Sequence, residues 1–544
     1  MRIAFVSLLL ASAACALPAA TNAAAAKNLA FDSPIVNHPY LAVKRPSAPP
    51  RKSSFAAAAA APDASFLHGV ASGDPLSDAV ILWTKVTSNA SEVSISYQVA
   101  ADAGFASIVS AGTVVSNADV DYTVKLDITG LTPATTYFYR FTSGASVSPT
   151  GKTHTIPTAD ADLASYKLAV VSCANLPAGF FNAYTSIARR TDVDLVLHLG
   201  DYIYEYKNGQ YGDGSKLNRV PEPDVEISTL YEYRTRHAQY KRDPDLQAVH
   251  LAHPFVTVWD DHEFADDSWI GGAEGTKPGV PGPWEARKLA AMRAYFEYMP
   301  IRAALVDGVG KIYRNFQVGK LFDLTMLDTR MSGREITDQK SGAIINDANR
   351  TIMGFPQESW FNDQLSSSKA RGAQWRIVGN QVTFAPARVL FDSVMVLPPD
   401  SWDDYPANRK RVMDHITTNQ IQNVVMLTGD IHTGLAFDVP YSSTKYNPFS
   451  GKGSALVEFV GASVTSDGMS FLQSTGLYVA LPHLKYANGR KHGYMLVSID
   501  KQRVNTEWHV MSTIAARDFT EKVDAVMETA SGSGHITYKH ISIF

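Results

Sequence analysis

The chain has 544 residues, a formal net charge of −4, 45% hydrophobic residues and 19% charged residues. These values are typical of a globular protein of two or three domains. They exclude a strongly basic face of the kind that binds nucleic acid. After the N-terminal segment, no apolar run is long enough to cross a bilayer. We therefore expect no nucleic-acid-binding surface and no transmembrane segment once a signal is removed.

The N-terminus predicts export. Met1-Arg2 is followed by an apolar run from Ile3 to Ala14, and the A-C-A triplet at 14–16 fits a signal-peptidase site. We predict a signal peptide over residues 1–16, although cleavage within the following alanines up to Ala26 is also compatible. The alternative is an N-terminal membrane anchor, for which the run is short. The signal peptide predicts a secreted or extracytoplasmic location, in the periplasm or at the cell surface.

Two segments of different character come next. Residues 17–63 mix Pro, Ser and Ala, which predicts a disordered linker or propeptide. Residues 64–157 contain short, partly alternating runs rich in Val, Ile, Tyr and Trp, which predict a β-sandwich. In "LTPATTYFYRF", Leu131, Pro133 and Tyr137 have the spacing of a tyrosine corner, as in immunoglobulin-like and fibronectin type III domains.

From Tyr166 onward, apolar strand-like runs alternate with helical patterns, which predicts an α/β domain over residues 165–515. The segment from Trp284 to Met299 predicts a helix that ends before Pro300. The Gly- and Pro-rich residues 271–283 suit a rim or lid. Residues 516–544 are predicted as a C-terminal tail, in which "ITYKHISIF" could form a last strand.

Five apolar runs end in side chains that bind metals. The runs are "KLAVVSCAN", "DLVLHLGDYIYEY", "FVTVWDDHEF", "WRIVGNQVTF" and "NVVMLTGDIHTG". Loops at the ends of sheet strands converge, so these side chains would meet in one place. Carboxylates suit divalent ions, and a thiol, a phenol and an imidazole suit a transition metal. Taken singly, each of these side chains is more simply explained as a helix cap, a packing residue or a core histidine. Five runs that all end in metal-type ligands by chance are improbable.

Cys173 has two interpretations. If Cys15 leaves with the signal peptide, Cys173 is the single cysteine of the mature chain and cannot form an internal disulfide. By thiol chemistry alone it is either an inert buried residue or a metal ligand.

The ordered motifs resemble those of the PhoD-type alkaline phosphatases, a family that includes some calcium-dependent phospholipase D enzymes. The resemblance extends from about Ser65 to about His509 and rests on "HGVASGDP", "SCAN", "GDYIYE", "WDDHEF", "GNQ", "WDDYPANR", "LTGDIHTG" and "EFVGASVTSDG". It implies an α/β fold in two parts. An N-terminal immunoglobulin-like sandwich would precede a four-layer αββα metallophosphoesterase domain, in which two sheets lie between helices.

The same resemblance implies a metal centre of one Fe3+ and two Ca2+. G-D-x-x-Y at 200–204 is similar to a motif of purple acid phosphatases in which Asp bridges two metals and Tyr binds ferric iron. In this chain the iron ligands would be Cys173, Asp201, Tyr204 and His432. Asp201 would bridge to calcium, and the further oxygen ligands would be Asp261, Asn380 and Asp430.

These features predict hydrolysis of phosphate monoesters, diesters or both by metal-activated water. His262 is a candidate proton donor or phosphate contact. Arg330 is a candidate phosphate clamp, with a salt bridge to Asp328 as the alternative. One other hypothesis is a phospholipase D-like phosphodiesterase, which would need an apolar approach or an interfacial helix. Another is a non-catalytic secreted adhesion protein that works through its sandwich. The sequence does not decide between monoester and diester substrates.

Overall fold

The fold is that of a computed structural model, which describes residues 25–32, 64–274, 283–302, 304–306, 309–337, 345–389, 394–395, 397, 400–441 and 445–542. The predicted signal peptide, most of residues 17–63 and most of the Gly- and Pro-rich segment 271–283 lie outside the described residues.

The strands in chain order are β1 Val70–Gly73, β2 Ala79–Lys85, β3 Val93–Ala100, β4 Ile108–Ser116, β5 Thr123–Thr129, β6 Thr136–Ser143, β7 Ser146–Val147, β8 Gly151–His154, β9 Ser165–Val171, β10 Leu195–His198, β11 Phe255–Thr257, β12 Ala304–Val306, β13 Val309–Lys311, β14 Arg314–Val318, β15 Phe322–Met326, β16 Trp375–Asn380, β17 Arg388–Val389, β18 Val394–Met395, β19 Val424–Thr428, β20 Gly434–Pro440, β21 Ser454–Val460, β22 Leu484–Asn488, β23 Gly493–Asp500, β24 Arg503–Met511, β25 Glu521–Ala530 and β26 Tyr538–Ile541.

The helices are α1 Asn182–Ala188, α2 Leu230–Lys241, α3 Pro244–Ala252, α4 Pro283–Tyr298, α5 Gly354–Ala370, α6 Pro406–Thr418 and α7 Phe471–Ala480. Their starts follow local sequence rules. Thr229 and Glu232 form a capping box at α2, and Ser470 and Gln473 form one at α7. The helix predicted from Trp284 to Met299 is confirmed within one residue at each end, as α4.

A large sheet has the order β26-β25-β24-β23-β9-β10-β11-β1-β2-β5. Its centre is parallel, because β9 pairs with β10 and β10 with β11 in the same direction. β10 and β11 are buried along their whole length, as is usual when both faces of a parallel sheet are covered. Three of the predicted ligand-bearing runs are therefore neighbours in one sheet.

A second sheet has the order β14-β15-β16-β19-β21-β20-β22. Here β15, β16, β19 and β21 run parallel to one another. The remaining two ligand-bearing runs, β16 and β19, are adjacent in this sheet. All five runs are thus confirmed as strands, three in one sheet and two in the other.

One hydrophobic core joins the two sheets. It contains Leu168 and Leu197 of the large sheet together with Ile377 and Leu427 of the second, and also side chains of α1 and α4. A separate core packs α5 and α6 on the second sheet through Phe361 and Val412 among others. The mixed α/β class is confirmed by this arrangement. It brings the carboxyl ends of parallel strands from both sheets to a common edge.

The N-terminal strands are shared between two sheets. β3, β4, β6, β7 and β8 form a small sheet, but β1, β2 and β5 are part of the large one. A core that includes Val80, Leu126, Ile95 and Phe141 joins the small sheet to these three strands. The Tyr137 hydroxyl accepts a hydrogen bond from Thr132 N at 2.8 Å, which is the contact of a tyrosine corner.

Two predicted boundaries differ from the structure. Residues 25–32, which fall within the predicted disordered segment, are ordered because the Asn28 amide bonds to Thr123 O at 2.9 Å and Ala26 N bonds to Thr113 O at 2.6 Å. At the other end, β25 pairs with β24 from Arg503 to Met511, and β26 extends the sheet further. The segment after residue 515 is therefore part of the large sheet rather than a separate tail.

Candidate metal centre

Strand ends position the candidate ligands. Cys173 lies two residues beyond β9, Asp201 three beyond β10, and Asp430 two beyond β19. Cys173, Asp201, Asp430 and His432 have φ of 62°, 55°, 64° and 56°. Left-handed backbone is costly for residues other than glycine and is found mostly at functional sites. These sharp turns at the strand ends direct the four side chains back toward one another.

The first group of ligands surrounds Asp201. Ligand atoms of Cys173, Asp201 and His432 lie within 4.8 Å of one another. The Tyr204 hydroxyl donates to Asp201 Oδ2 at 2.9 Å and lies 3.1 Å from His432 Nε2. His432 Nδ1 donates to Asp467 O at 3.0 Å, which leaves Nε2 to face the group. A thiol, a phenol, an imidazole and a carboxylate are the donors that suit a transition metal.

The second group is acidic. Ligand atoms within 4.8 Å of one another occur in three further sets among the described residues, namely Asp201, Asp261 and His262; Asp260, Asp261 and Asp430; and Asp261, Asp266 and Asp267. Carboxylate oxygens are the preferred ligands of Ca2+ and Mg2+. Asp201 belongs to both groups.

Buried carboxylate oxygens that lack a hydrogen-bond partner support cation binding. Asp201 Oδ1, Asp260 Oδ2 and Asp261 Oδ1 are buried without a hydrogen-bond partner among the described residues. Buried polar atoms in proteins are nearly always paired, because leaving one unpaired costs about 1–3 kcal/mol. Bound cations would satisfy these oxygens. The residues present therefore fit a centre with more than one metal ion.

The pKa shifts of the candidate ligands also support cation binding. Burial, followed by the carboxylate of Asp201, raises the pKa of both Cys173 and Tyr204 well above its usual range. Repulsion from Asp400, together with burial, raises the pKa of Asp267 to about 8. Without cations these groups keep their protons. A bound cation would replace the protons and remove the mutual repulsion.

His262 lines the cavity, and Glu205 holds one of its two ring nitrogens. Its Nδ1 lies 2.9 Å from Glu205 Oε2, and its ring stacks on Tyr204 with centroids 4.2 Å apart. Burial would lower the pKa of His262, but the carboxylates of Asp261 and Glu205 outweigh burial and raise it well above its usual range. Because Glu205 holds Nδ1, Nε2 is the nitrogen left for a substrate. The predicted role as proton donor or phosphate contact fits this geometry.

Arg330 lies among buried carboxylates. Its guanidinium is fully buried, pairs with Asp260, lies 2.7 Å from Asp400 and lies 3.2 Å from Asp430. Asp328 accepts the backbone N–H of Arg330 at 3.0 Å and not its side chain. The Asp328 salt bridge is therefore corrected, and the phosphate clamp stays a prediction. Asp261 Oδ1, at 3.5 Å, is the fourth carboxylate oxygen near the guanidinium, whose charge offsets part of theirs.

Asn380 is buried, and both atoms of its side-chain amide form hydrogen bonds. It ends β16 at the expected edge, but its Oδ1 accepts the Trp402 indole N–H at 3.2 Å. Its amide nitrogen donates to Val382 O at 2.5 Å and to Thr428 Oγ1 at 3.2 Å. These bonds fix the amide within the core of the second sheet. Asn380 thus lies at the predicted strand end, and its role as an oxygen ligand stays a prediction.

Sequence analysis does not single out several residues that the structure brings to the site. Asp266 and Asp267 follow Asp261 directly in "DDHEFADD", so their spacing was a usable signal. Asp400 comes from a distant loop, and no spacing in the sequence connects it with the other acidic residues of the site. Glu263 accepts the backbone N–H groups of Asp201 at 3.0 Å and Asp260 at 2.7 Å. It therefore ties the β10 loop to the β11 loop.

The ligand groups open into a cavity of about 650 Å³. One wall is acidic and the opposite wall is apolar, formed by Ile431 and by α7 with the loop before it. The lining residues are Asp201, Tyr206, Tyr211, Asp261, His262, Asp266, Asp267, Asp400, Asp430, Ile431, His432, Asp467, Gly468, Met469, Gln473, Gly476, Leu477 and Ala480. The cavity is large enough for a phosphate ester with a substantial alcohol group.

Two parallel-centred sheets with clustered metal-type ligands at their strand ends define a metal-binding α/β protein, and the comparisons specify the family. Residues 168–508 match the PhoD-like phosphatase family, and residues 51–157 match the N-terminal domain of PhoD-like phosphatases. The chain is 35% identical over 466 residues to alkaline phosphatase D of Bacillus subtilis (strain 168), an alignment that covers 82% of this chain and 77% of the relative.

A solved structure agrees. The structure of PhoD superposes with a TM-score of 0.80 at 33% identity, covering 88% of this chain and 92% of that chain. The chain belongs to the PhoD-like phosphatase family and is a phosphoesterase. No helix in the described part of the chain has the length and apolar character needed to span a membrane.

Proposed function

We propose that this chain is an exported alkaline phosphatase D-type enzyme that hydrolyses phosphate monoesters, diesters or both at a centre of one Fe3+ and two Ca2+. The observation that carries the proposal is the convergence of Cys173, Tyr204 and His432 around Asp201, next to the acidic group of Asp261 and Asp430. A relative at 35% identity is named an alkaline phosphatase, which supports the reaction class.

The donor chemistry supports the two kinds of ion. Cys173, Tyr204 and His432 offer sulfur, phenol oxygen and nitrogen, and these donors favour iron over calcium. Asp261, Asp266, Asp267 and Asp430 offer only carboxylate oxygen, which favours calcium. Asp201 would contribute to both kinds, since its Oδ2 contacts Tyr204 and its Oδ1 has no hydrogen-bond partner among the described residues.

When bound, the ions neutralise the phosphate oxygens and make water more acidic. The protein groups supply the rest. Glu205 holds His262 so that Nε2 faces the cavity, where its N–H can donate to a phosphate oxygen or to the leaving alkoxide. Glu263 keeps the loops of Asp201 and Asp260 together, so the ligand geometry is fixed before substrate arrives.

The finer fold assignment follows the family. Residues 64–157 would form an immunoglobulin-like unit, which the tyrosine corner at Tyr137 supports. The rest would be the four-layer metallophosphoesterase arrangement, supported by helices packed on the second sheet and a core between the sheets. Export rests on the N-terminal signal pattern.

Metal removal tests the centre. We expect the purified enzyme to hydrolyse p-nitrophenyl phosphate at alkaline pH and to lose activity on treatment with a calcium chelator. Calcium should restore the activity, while magnesium at the same concentration serves as the control. Full activity in protein shown by elemental analysis to be calcium-free would contradict the calcium assignment.

The substrate choice needs a separate comparison. Rates on p-nitrophenyl phosphate and on its bis ester, measured with one preparation, distinguish a monoesterase from a diesterase such as a phospholipase D-like enzyme. A non-catalytic adhesion protein is not favoured, because the thiol, phenol, imidazole and carboxylate set is complete. That alternative would require a preparation that binds metals and turns over neither ester.

A further inference from the structure

Helix α7 forms one wall of the cavity. The segment from Gly468 to Ala480 follows Asp467, whose backbone carbonyl holds His432. Met469, Leu477 and Ala480 line the cavity, and Ser470 caps the helix at its start. The inner face of α7 is therefore already assigned to the catalytic site. The outer face of the same helix is a separate surface.

The outer face is strongly apolar and exposed. Phe471, Leu472 and Val479 are exposed to 61%, 81% and 88%. Phe449, in the loop between β20 and β21, is exposed to 99%. We call these four side chains the apolar rim. Their exposure shows that no described part of the chain covers them.

The two parts of the apolar rim contact the same strand, β22. Lys485 Nζ bonds to Pro448 O at 3.0 Å, which ties the Phe449 loop to β22. The hydroxyl of Tyr478 accepts the backbone N–H of Ala487 at 2.7 Å, which ties α7 to the same strand. Both parts therefore contact β22. Exposed apolar side chains grouped beside a cavity mark an interaction site.

Cations lie beside the rim. Arg490 and Lys491 follow β22, and the preceding Gly489 packs against the backbone of Met469 at the start of α7. Arg490 is exposed, and neither cation forms an ion pair with any described residue. Exposed Phe and Leu next to unpaired Lys and Arg form the pattern of a helix that lies in a lipid interface.

We propose that the apolar rim, with Arg490 and Lys491, docks on an anionic lipid surface and holds the mouth of the cavity against it. A second copy of the chain fits less well. A stable interface between proteins uses about 20–30 residues on each side, whereas the rim has four large side chains on one helix and one loop. An interfacial helix needs only such an apolar face, and anionic headgroups attract the flanking cations. The proposal concerns binding and does not depend on any step of hydrolysis.

Vesicle sedimentation tests the docking surface. The processed chain, with its N-terminus established by mass spectrometry, is mixed at constant calcium with vesicles of equal phosphatidylglycerol and phosphatidylcholine. We expect binding to these vesicles and weaker binding to phosphatidylcholine alone. The variant Leu472→Ser/Val479→Ser should bind about tenfold more weakly or worse, because two inserted side chains are lost. Val147→Ser, which changes an apolar side chain exposed to 54% on the small N-terminal sheet, is the control and should bind normally.

Further variants separate the contributions. Arg490→Gln/Lys491→Gln should weaken binding to the anionic vesicles and reduce its salt dependence, with little change on neutral vesicles. Every variant should keep the wild-type rate on soluble p-nitrophenyl phosphate, since none of these residues lines the cavity. Unaltered binding of the Leu472→Ser/Val479→Ser variant, or no binding by the wild type, would overturn the proposal. So would a concentration-dependent dimer that this variant abolishes in the absence of vesicle binding.

Discussion

The phenol of Tyr204 lies between two candidate iron ligands, and its ring is held independently of its hydroxyl. Tyr204→Phe keeps the ring stacked on His262 and removes only the oxygen that contacts Asp201 and His432. We expect a coloured wild-type protein, a shifted or bleached visible band in the variant, and lower activity with little change in thermal unfolding. Visible absorption and iron content on matched samples provide the measurement. A colourless, iron-free and fully active wild type would contradict the iron assignment.

Cys173 gives a second test at the same ion. Cys173→Ser keeps the size but offers a poor alkoxide donor, so iron should be lost more readily and activity should fall. Cys173→Ala at an inert buried site would cost only about 1 kcal/mol of stability and leave catalysis unchanged. Elemental analysis of both variants after dialysis distinguishes these outcomes. Normal turnover with normal metal content in the alanine variant would show that the thiol is not a ligand.

Some ligands could be predicted from the sequence because the rule that places them is local. Cys173, Asp201 and Asp430 follow buried strands within three residues, and the ends of parallel strands meet at one edge. Asn380 obeys the same rule, yet Trp402 from a distant turn holds its oxygen inside the core. Side-chain direction after a strand depends on such long-range partners. No local pattern contains them, and the four carboxylates around Arg330 are a second example.

At the scale of elements, the strands of the N-terminal segment are divided between the small sheet and the large sheet. The Trp83 indole on β2 donates to Glu297 O on α4 at 2.9 Å, and its ring lies 6.0 Å from that of Tyr298. Strands were predictable from the alternation of residues, but the pairing of β1 with β11 was not, because it joins Gly73 to Phe255. Pairing at such separations is set by the whole chain. A boundary at residue 157 therefore follows the sequence pattern but cuts through the large sheet.

Trp83→Ala tests this coupling. Because Trp83 is fully buried between β2 and α4, the variant should lose about 3–5 kcal/mol of unfolding free energy. We expect one cooperative transition that moves as a unit, and an insoluble or unfolded product when residues 64–157 are deleted. Urea denaturation monitored by fluorescence and by loss of activity is the measurement. Separate transitions, with activity retained after the N-terminal part unfolds, would show that the catalytic part is independent.

At the scale of the whole molecule, buried histidines predict acid sensitivity. Burial lowers the pKa of His68, His198 and His237 to about 3. Below the ordinary pKa of about 6.5, the unfolded chain binds protons that the folded chain does not. The free energy of unfolding should therefore fall as pH decreases from about 6.5 toward 3. Above that range these groups contribute no pH dependence.

A single variant isolates this effect. Both ring nitrogens of His237 are buried without a hydrogen-bond partner among the described residues, and the ring stacks on Tyr298 at 5.4 Å. His237→Phe keeps the stacking, so it should leave the fold intact and reduce the slope of stability against pH by at most about 1.4 kcal/mol per pH unit. Urea midpoints between pH 7.5 and about 5 measure the slope for both proteins. Identical slopes would mean that His237 titrates normally.

The order of strands in the large sheet also bears on how the chain is made. Its parallel centre, β9 to β11, lies between β1, β2 and β5 from early in the chain and β23 to β26 from its last part. The early strands cannot complete their pairing until Phe255 has been synthesised, and β9 lacks its outer neighbour until Gly493–Asp500 has been. Such non-local pairing delays folding. The nascent polypeptide should therefore leave the ribosome without a finished sheet, in the extended form that a translocation channel can still accept.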